Sequence, residues 1–77
     1  MTLYVGGLSS KCDEKRLSSL FDSYGELSET RLIMDPDGSC RGFAYVTFMD
    51  DLCAAKARVA LNGKSIDGQV LRVAVAT

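Results

Sequence analysis

The 77-residue chain contains no histidine. That absence removes imidazole acid–base chemistry, His-assisted nucleophiles and zinc sites with imidazole ligands. Three cysteines, Cys12, Cys40 and Cys53, form no CxxC pair and leave an odd count. A disulfide framework is not expected; an intracellular, reducing compartment is, with nucleus, cytoplasm and organelle all open. Cys53 is read as packing a helix, and Cys12 and Cys40 as loop thiols. No stretch approaches the ~20 apolar residues of a membrane span, so no membrane partner is expected. The N-terminal MTLYVGGLSSKCDEK lacks the basic start and apolar run of a signal peptide. Basic charge is not in excess either. Nine Lys and Arg face ten Asp and Glu for a net charge of −1, and the pI is near 5.2. A nucleic-acid binder is simply expected to be strongly basic, so this balance is an objection until the charges are placed.

Apparent motifs fail on their spacing. Gly6-Gly7-Leu8-Ser9-Ser10-Lys11 does not satisfy the phosphate-loop pattern GxxxxGK[ST]. Asp35-Pro36-Asp37-Gly38 suggests a calcium loop, but Val46 stands where the bidentate Glu belongs. The segment reads better as a turn, with Pro36 presetting φ. The only asparagine, Asn62, precedes Gly63-Lys64 and is no glycosylation acceptor. No catalytic constellation remains and no metal or cofactor is expected, so the chain is not read as an enzyme. Its composition is that of a folded protein: 47% apolar and 25% charged, with one proline. The length allows one domain with one marginal core, since a chain this short buries only about 60% of its unfolded surface.

The residue pattern orders the elements. Leu3-Tyr4-Val5 reads as a strand ending at Gly6-Gly7. Asp13 is a helix N-cap, and Leu17, Leu20, Phe21 and Tyr24 at i, i+3, i+4 and i+7 make one amphipathic stripe, stopped by Gly25. Leu27–Met34 reads as a strand, Asp35–Ser39 as a turn and Arg41–Phe48 as the clearest alternating strand. Asp50 or Asp51 caps a helix to Leu61 that buries Ala54, Ala57 and Leu61. Asn62-Gly63 ends it, Asp67-Gly68 turns, and Val70–Val75 is the last strand. The order β-α-β-β-α-β predicts an α+β, ferredoxin-like fold: a four-stranded antiparallel sheet with both helices on one face.

Two short helices cover one face only. If Leu3, Val5, Leu27, Leu32, Ala44, Val46, Phe48, Leu71 and Val73 meet the helices, alternation points Tyr4, Phe43 and Tyr45 the other way. A monomer gains nothing by leaving three aromatics in water, and such patches mark contact surfaces. Coverage by a further segment or a second copy is the competing arrangement. Flat rings suit unpaired bases, which stack at about 1–3 kcal/mol each, and arginines beside them suit phosphate. Arg31, Arg41 and Arg72 are, with Glu29, the only charged residues placed on strands.

These residues carry a resemblance to the RNA recognition motif family. Its octapeptide, K/R-G-F/Y-G/A-F-V-x-F/Y, resembles Arg41-Gly42-Phe43-Ala44-Tyr45-Val46-Thr47-Phe48, with Tyr as the fifth-position aromatic. The family's hexapeptide is similar to Leu3-Tyr4-Val5-Gly6-Gly7-Leu8, and the likeness runs from Thr2 to Ala76. It implies single-stranded RNA as partner, stacking on Tyr4, Phe43 and Tyr45, and phosphate at Arg41. Arg31, Ile33, Thr47, Arg72 and Ala74 would shape the surrounding surface. Phe48 looks like core, and Gly42 more like a backbone requirement than a contact. Gly7 departs from the family, which often has Asn there, so an amide contact is missing. The loop before Arg41 carries two acids and no base. RNA and single-stranded DNA are not separated by sequence. The whole of 1–77 is expected to be one such domain, excised from a longer chain.

Two other readings share the topology. A protein-binding variant would use the sheet or the helix face, lose the aromatics and carry Arg-x-Phe after the second helix. Here the aromatics are intact and 62–69 holds neither Arg nor Phe. Acylphosphatase-like enzymes need a catalytic arginine and asparagine, and copper chaperones need CxxC in the first loop, where only Cys12 stands.

Overall fold

A computed structural model of the chain describes residues 1–76. The elements are β1 (Thr2–Gly6), α1 (Glu14–Phe21), β2 (Leu27–Met34), β3 (Cys40–Phe48), α2 (Asp51–Leu61), β4 (Ser65–Ile66), β5 (Gln69–Val70) and β6 (Arg72–Val75). Four strands form one antiparallel sheet in the order β2-β3-β1-β6. The β-α-β-β-α-β sandwich expected from the sequence is present, with one addition. Ser65–Ile66 and Gln69–Val70 pair as a separate hairpin. Asp67 (φ 52°) and Gly68 (φ 78°) make its tight turn, a left-handed pair that suits a two-residue hairpin. Val70 therefore leaves the expected last strand, and Leu71, buried, separates the hairpin from β6.

The helices begin where their caps place them. Asp13 accepts from the Arg16 backbone N–H at 2.8 Å and Asp50 from that of Leu52 at 2.8 Å, each satisfying one otherwise unpaired amide. α1 is shorter than its stripe suggests. It ends at Phe21, and Asp22–Tyr24 tightens into a 3-10 turn closed by Gly25.

The core lies between the helices and one sheet face. Leu3, Val5, Leu17, Phe21, Ala44, Val46, Ala54 and Ala57 are fully buried, and Phe21 meets Phe48 edge-on, with centroids 6.3 Å apart. The alanines let α2 lie close to the sheet. No polar side chain is buried among the described residues. Leu52 and Val59 stand exposed on the outer side of α2.

The reading of Cys12 and Cys40 as loop thiols is corrected: both are buried in the core. The cause is a clasp between chain segments. Cys40 N–H donates to the Ser10 carbonyl at 3.1 Å, and Leu8 N–H to the Gly42 carbonyl at 2.9 Å. The β1–α1 loop is thereby drawn against the start of β3. Cys53, half-buried, packs on the same core as expected.

Candidate nucleic-acid interface

Strand register lays the open face out in three rows. Arg31, Tyr45, Tyr4 and Ala74 stand side by side across β2, β3, β1 and β6. Toward one end lie Phe43, Gly6 and Arg72; toward the other lie Glu29, Thr47 and Thr2. Thr2 and Thr47 share a hydroxyl hydrogen bond of 2.9 Å. No helix covers these rows, because both crossovers pass over the opposite face.

The three rings form a cluster. Tyr4 and Phe43 have centroids 6.2 Å apart and planes inclined by 28°, close to stacked. Tyr45 meets Tyr4 at 6.0 Å and Phe43 at 6.5 Å, edge-on in both cases. Such geometries attract through the ring quadrupoles. Each ring is half-buried, so the cluster hides part of its own apolar area while leaving surface to a ligand.

Tyr4 lies down along its strand rather than standing off it. A Cβ on Gly6 would sit 2.6 Å from the Tyr4 hydroxyl oxygen and 3.0 Å from the ring. The bare backbone of Gly6 is thus the floor beneath the ring, a role the sequence reading missed. Neighbouring Gly7 has φ 76°, and a Cβ there would meet the Val70 carbonyl oxygen at 2.1 Å. Asn tolerates that backbone region, but no side chain fits against that carbonyl. The β4–β5 hairpin therefore explains why this position departs from the family pattern.

The cations fall into two groups. Arg31 and Arg72 are exposed and form no ion pair among the described residues. Arg41 is engaged: its Nε lies 2.6 Å from Asp35 Oδ1. The guanidinium is held side-on, which leaves its terminal N–H groups for a second acceptor. The β2–β3 loop that supplies Asp35 is the expected turn. Asp35 N–H donates to the Ser39 carbonyl at 2.7 Å and Gly38 N–H to the Asp35 carbonyl at 2.9 Å. Ser39 donates to Asp37 from its backbone and its hydroxyl, which holds the Asp37 carboxyl below its ordinary range.

Ile33, half-buried, has no partner in the β2–β3 register. It sits where the β2–β3 ladder is irregular, between Leu32 opposite Ala44 and Met34 opposite Cys40. On β3, within the same irregular stretch, Gly42 adopts φ 98°, a bulged backbone that accounts for the glycine without any ligand. Glu29 lies on the open face beside Thr47. It had been placed on a strand, but no role had been given to it.

The sequence matches the family pattern described as the RNA recognition motif over residues 3–72. Among solved structures, the N-terminal RNA-binding domain of a hypothetical protein is 38% identical with TM-score 0.94, over 99% of this chain and 78% of that one. A crystal structure of RNA Binding Protein PG1 is 33% identical with TM-score 0.90, over 96% and 90%. The Sex-lethal protein/RNA complex is 27% identical with TM-score 0.93, over 99% of this chain and 46% of that one. With the pattern spanning nearly the whole sequence, and the two motifs lying side by side on the central strands, the chain belongs to the RNA recognition motif family of RNA-binding domains.

Proposed function

We propose that the chain binds single-stranded RNA across the open face of its sheet. Bases stack on Tyr4, Phe43 and Tyr45, Arg41 contacts a phosphate, and Arg31, Ile33, Thr47, Arg72 and Ala74 shape the surroundings. The observation that carries this reading is the mutually packed ring cluster on the face without helices. Family membership supports it, as does the similarity to a protein that forms a complex with RNA. Every base has a π-face, so rings recognise unpaired nucleotides without needing a particular sequence. The domain is a binding module rather than an enzyme, and one domain with these contacts binds weakly unless neighbours add to it. For a protein partner on the helix face, the support is the exposed pair Leu52 and Val59.

Phe43→Ala and Tyr45→Ala test the stacking. At about 1–3 kcal/mol per base, each should weaken binding of a short RNA roughly 5- to 150-fold in a fluorescence anisotropy titration. Amide NMR spectra of both variants check that the fold is unchanged. Undiminished binding by both variants would exclude stacking as the mechanism. The same titration with the deoxy oligonucleotide separates RNA from DNA through the 2′-hydroxyl.

A further inference from the structure

Beside the Tyr45 ring the open face dips into a depression of about 430 Å³ lined by Thr2, Glu29, Arg31, Tyr45 and Ala76. One ring, one carboxylate and one guanidinium bound it, and the remaining walls are small. Arg31 is the lateral neighbour of Tyr45, and Glu29 follows two residues earlier on β2. Two residues apart on a strand share a face at a spacing of roughly 6.6 Å. Among the described residues neither Glu29 nor Arg31 forms an ion pair. Their donors and acceptors are therefore uncommitted, whereas the Thr2 and Thr47 hydroxyls bond each other.

A base stacked on Tyr45 and directed toward β2 would present its hydrogen-bonding edge to this pair. Guanine offers adjacent N1–H and N2–H donors, which one carboxylate can accept together, with O6 beside them for a guanidinium N–H. Cytosine and adenine each offer a single exocyclic amine next to a ring acceptor. Uracil offers one N3–H between two carbonyl oxygens, whose lone pairs repel a carboxylate. We infer that this depression is a base-reading subsite in which Glu29, aided by Arg31, selects guanine and rejects uracil. The inference rests on the RNA-binding reading above and adds to it which base is preferred.

The test uses oligoadenylate pentamers with a single central guanosine, cytidine or uridine, titrated against the whole chain. The guanosine oligomer should bind about tenfold tighter than the uridine oligomer, within the discrimination of a bidentate contact. Glu29→Gln removes the carboxylate but keeps an amide that both donates and accepts. It should bring the guanosine-to-uridine ratio within about twofold. Loss of a negative charge strengthens phosphate attraction for all oligomers alike, so the ratio isolates base reading. Glu29 is exposed, and amide spectra of the variant confirm its fold. A wild-type ratio near one, or a ratio unchanged in Glu29→Gln, overturns the inference while leaving stacking intact. Failure of every oligomer to bind overturns both.

Discussion

Gly6 shows how one missing side chain shapes a surface. Alternation along Leu3-Tyr4-Val5 was enough to turn Tyr4 toward the open face. It could not reveal that the ring reclines over the next glycine, because that depends on a side-chain torsion and not on strand parity. Gly6→Ala puts a methyl group 2.6 Å from the Tyr4 hydroxyl oxygen. The ring is the mobile partner, so it should lift away from Phe43 while the fold persists. The expected outcome is a several-fold loss of RNA affinity, with Tm lowered by only a few degrees. Tyr4 ring proton shifts report the movement, and unchanged shifts with unchanged affinity would refute it. Arg41 was legible as a cation beside the rings. Its partner Asp35 was not, since the contact closes only when the turn folds.

At the scale of elements, the long strands and both helices were readable because their periodicity repeats several times. The two-residue strands β4 and β5 were not, since a pair that short has no period. The burial of Cys12 and Cys40 was misread for a related reason: loops carry no pattern, and the clasp to β3 is a tertiary event. That clasp has a measurable result. Burial pushes the Cys12 thiol above its ordinary value of 9.0, with Cys40 and Asp13 acting in the same direction. Below pH 9.0 the thiol is protonated in the folded and unfolded chains alike, and its contribution to stability is complete. Above that pH the unfolded chain releases a proton that the folded chain still holds. Stability should therefore fall as pH rises past about 9. At neutral pH a thiol reagent should label half-buried Cys53 before Cys12. Urea melts across pH 7–10 and peptide mapping of the labelled thiols check these outcomes, and equal labelling rates would contradict the assignment.

For the molecule as a whole, the net charge of −1 loses its force once the charges are placed. Ion pairs occupy Asp51 with the N-terminal ammonium, Asp67 with Arg16, and Asp35 with Arg41. On the open rows Arg31 and Arg72 face Glu29 alone. With Arg41, the proposed RNA surface therefore carries three arginines, enough for two or three phosphate contacts. Log K should fall with log[salt] at a slope of about −1.5 to −2, at roughly −0.7 per contact on a single strand. Titrations between 50 and 300 mM salt (about that range suffices at this slope) measure it. A much steeper dependence would mean that another basic surface dominates. Length was the most telling global feature in the sequence: two short helices cannot blanket both sides of a four-stranded sheet.

The contact between Asp35 and Arg41 carries one more consequence. Asp35 already neutralises one edge of the Arg41 guanidinium, and on the proposed function a phosphate would take the terminal N–H groups beside it. That phosphate would sit next to a carboxylate six residues away in the sequence, and the two anions would repel each other. Inorganic phosphate or a mononucleotide would gain little from an exposed cation whose charge is already partly neutralised. A phosphate delivered by stacked neighbouring bases would have a high local concentration and would bind there more readily. On the proposed function the arrangement would favour polymer over monomer before any base is read.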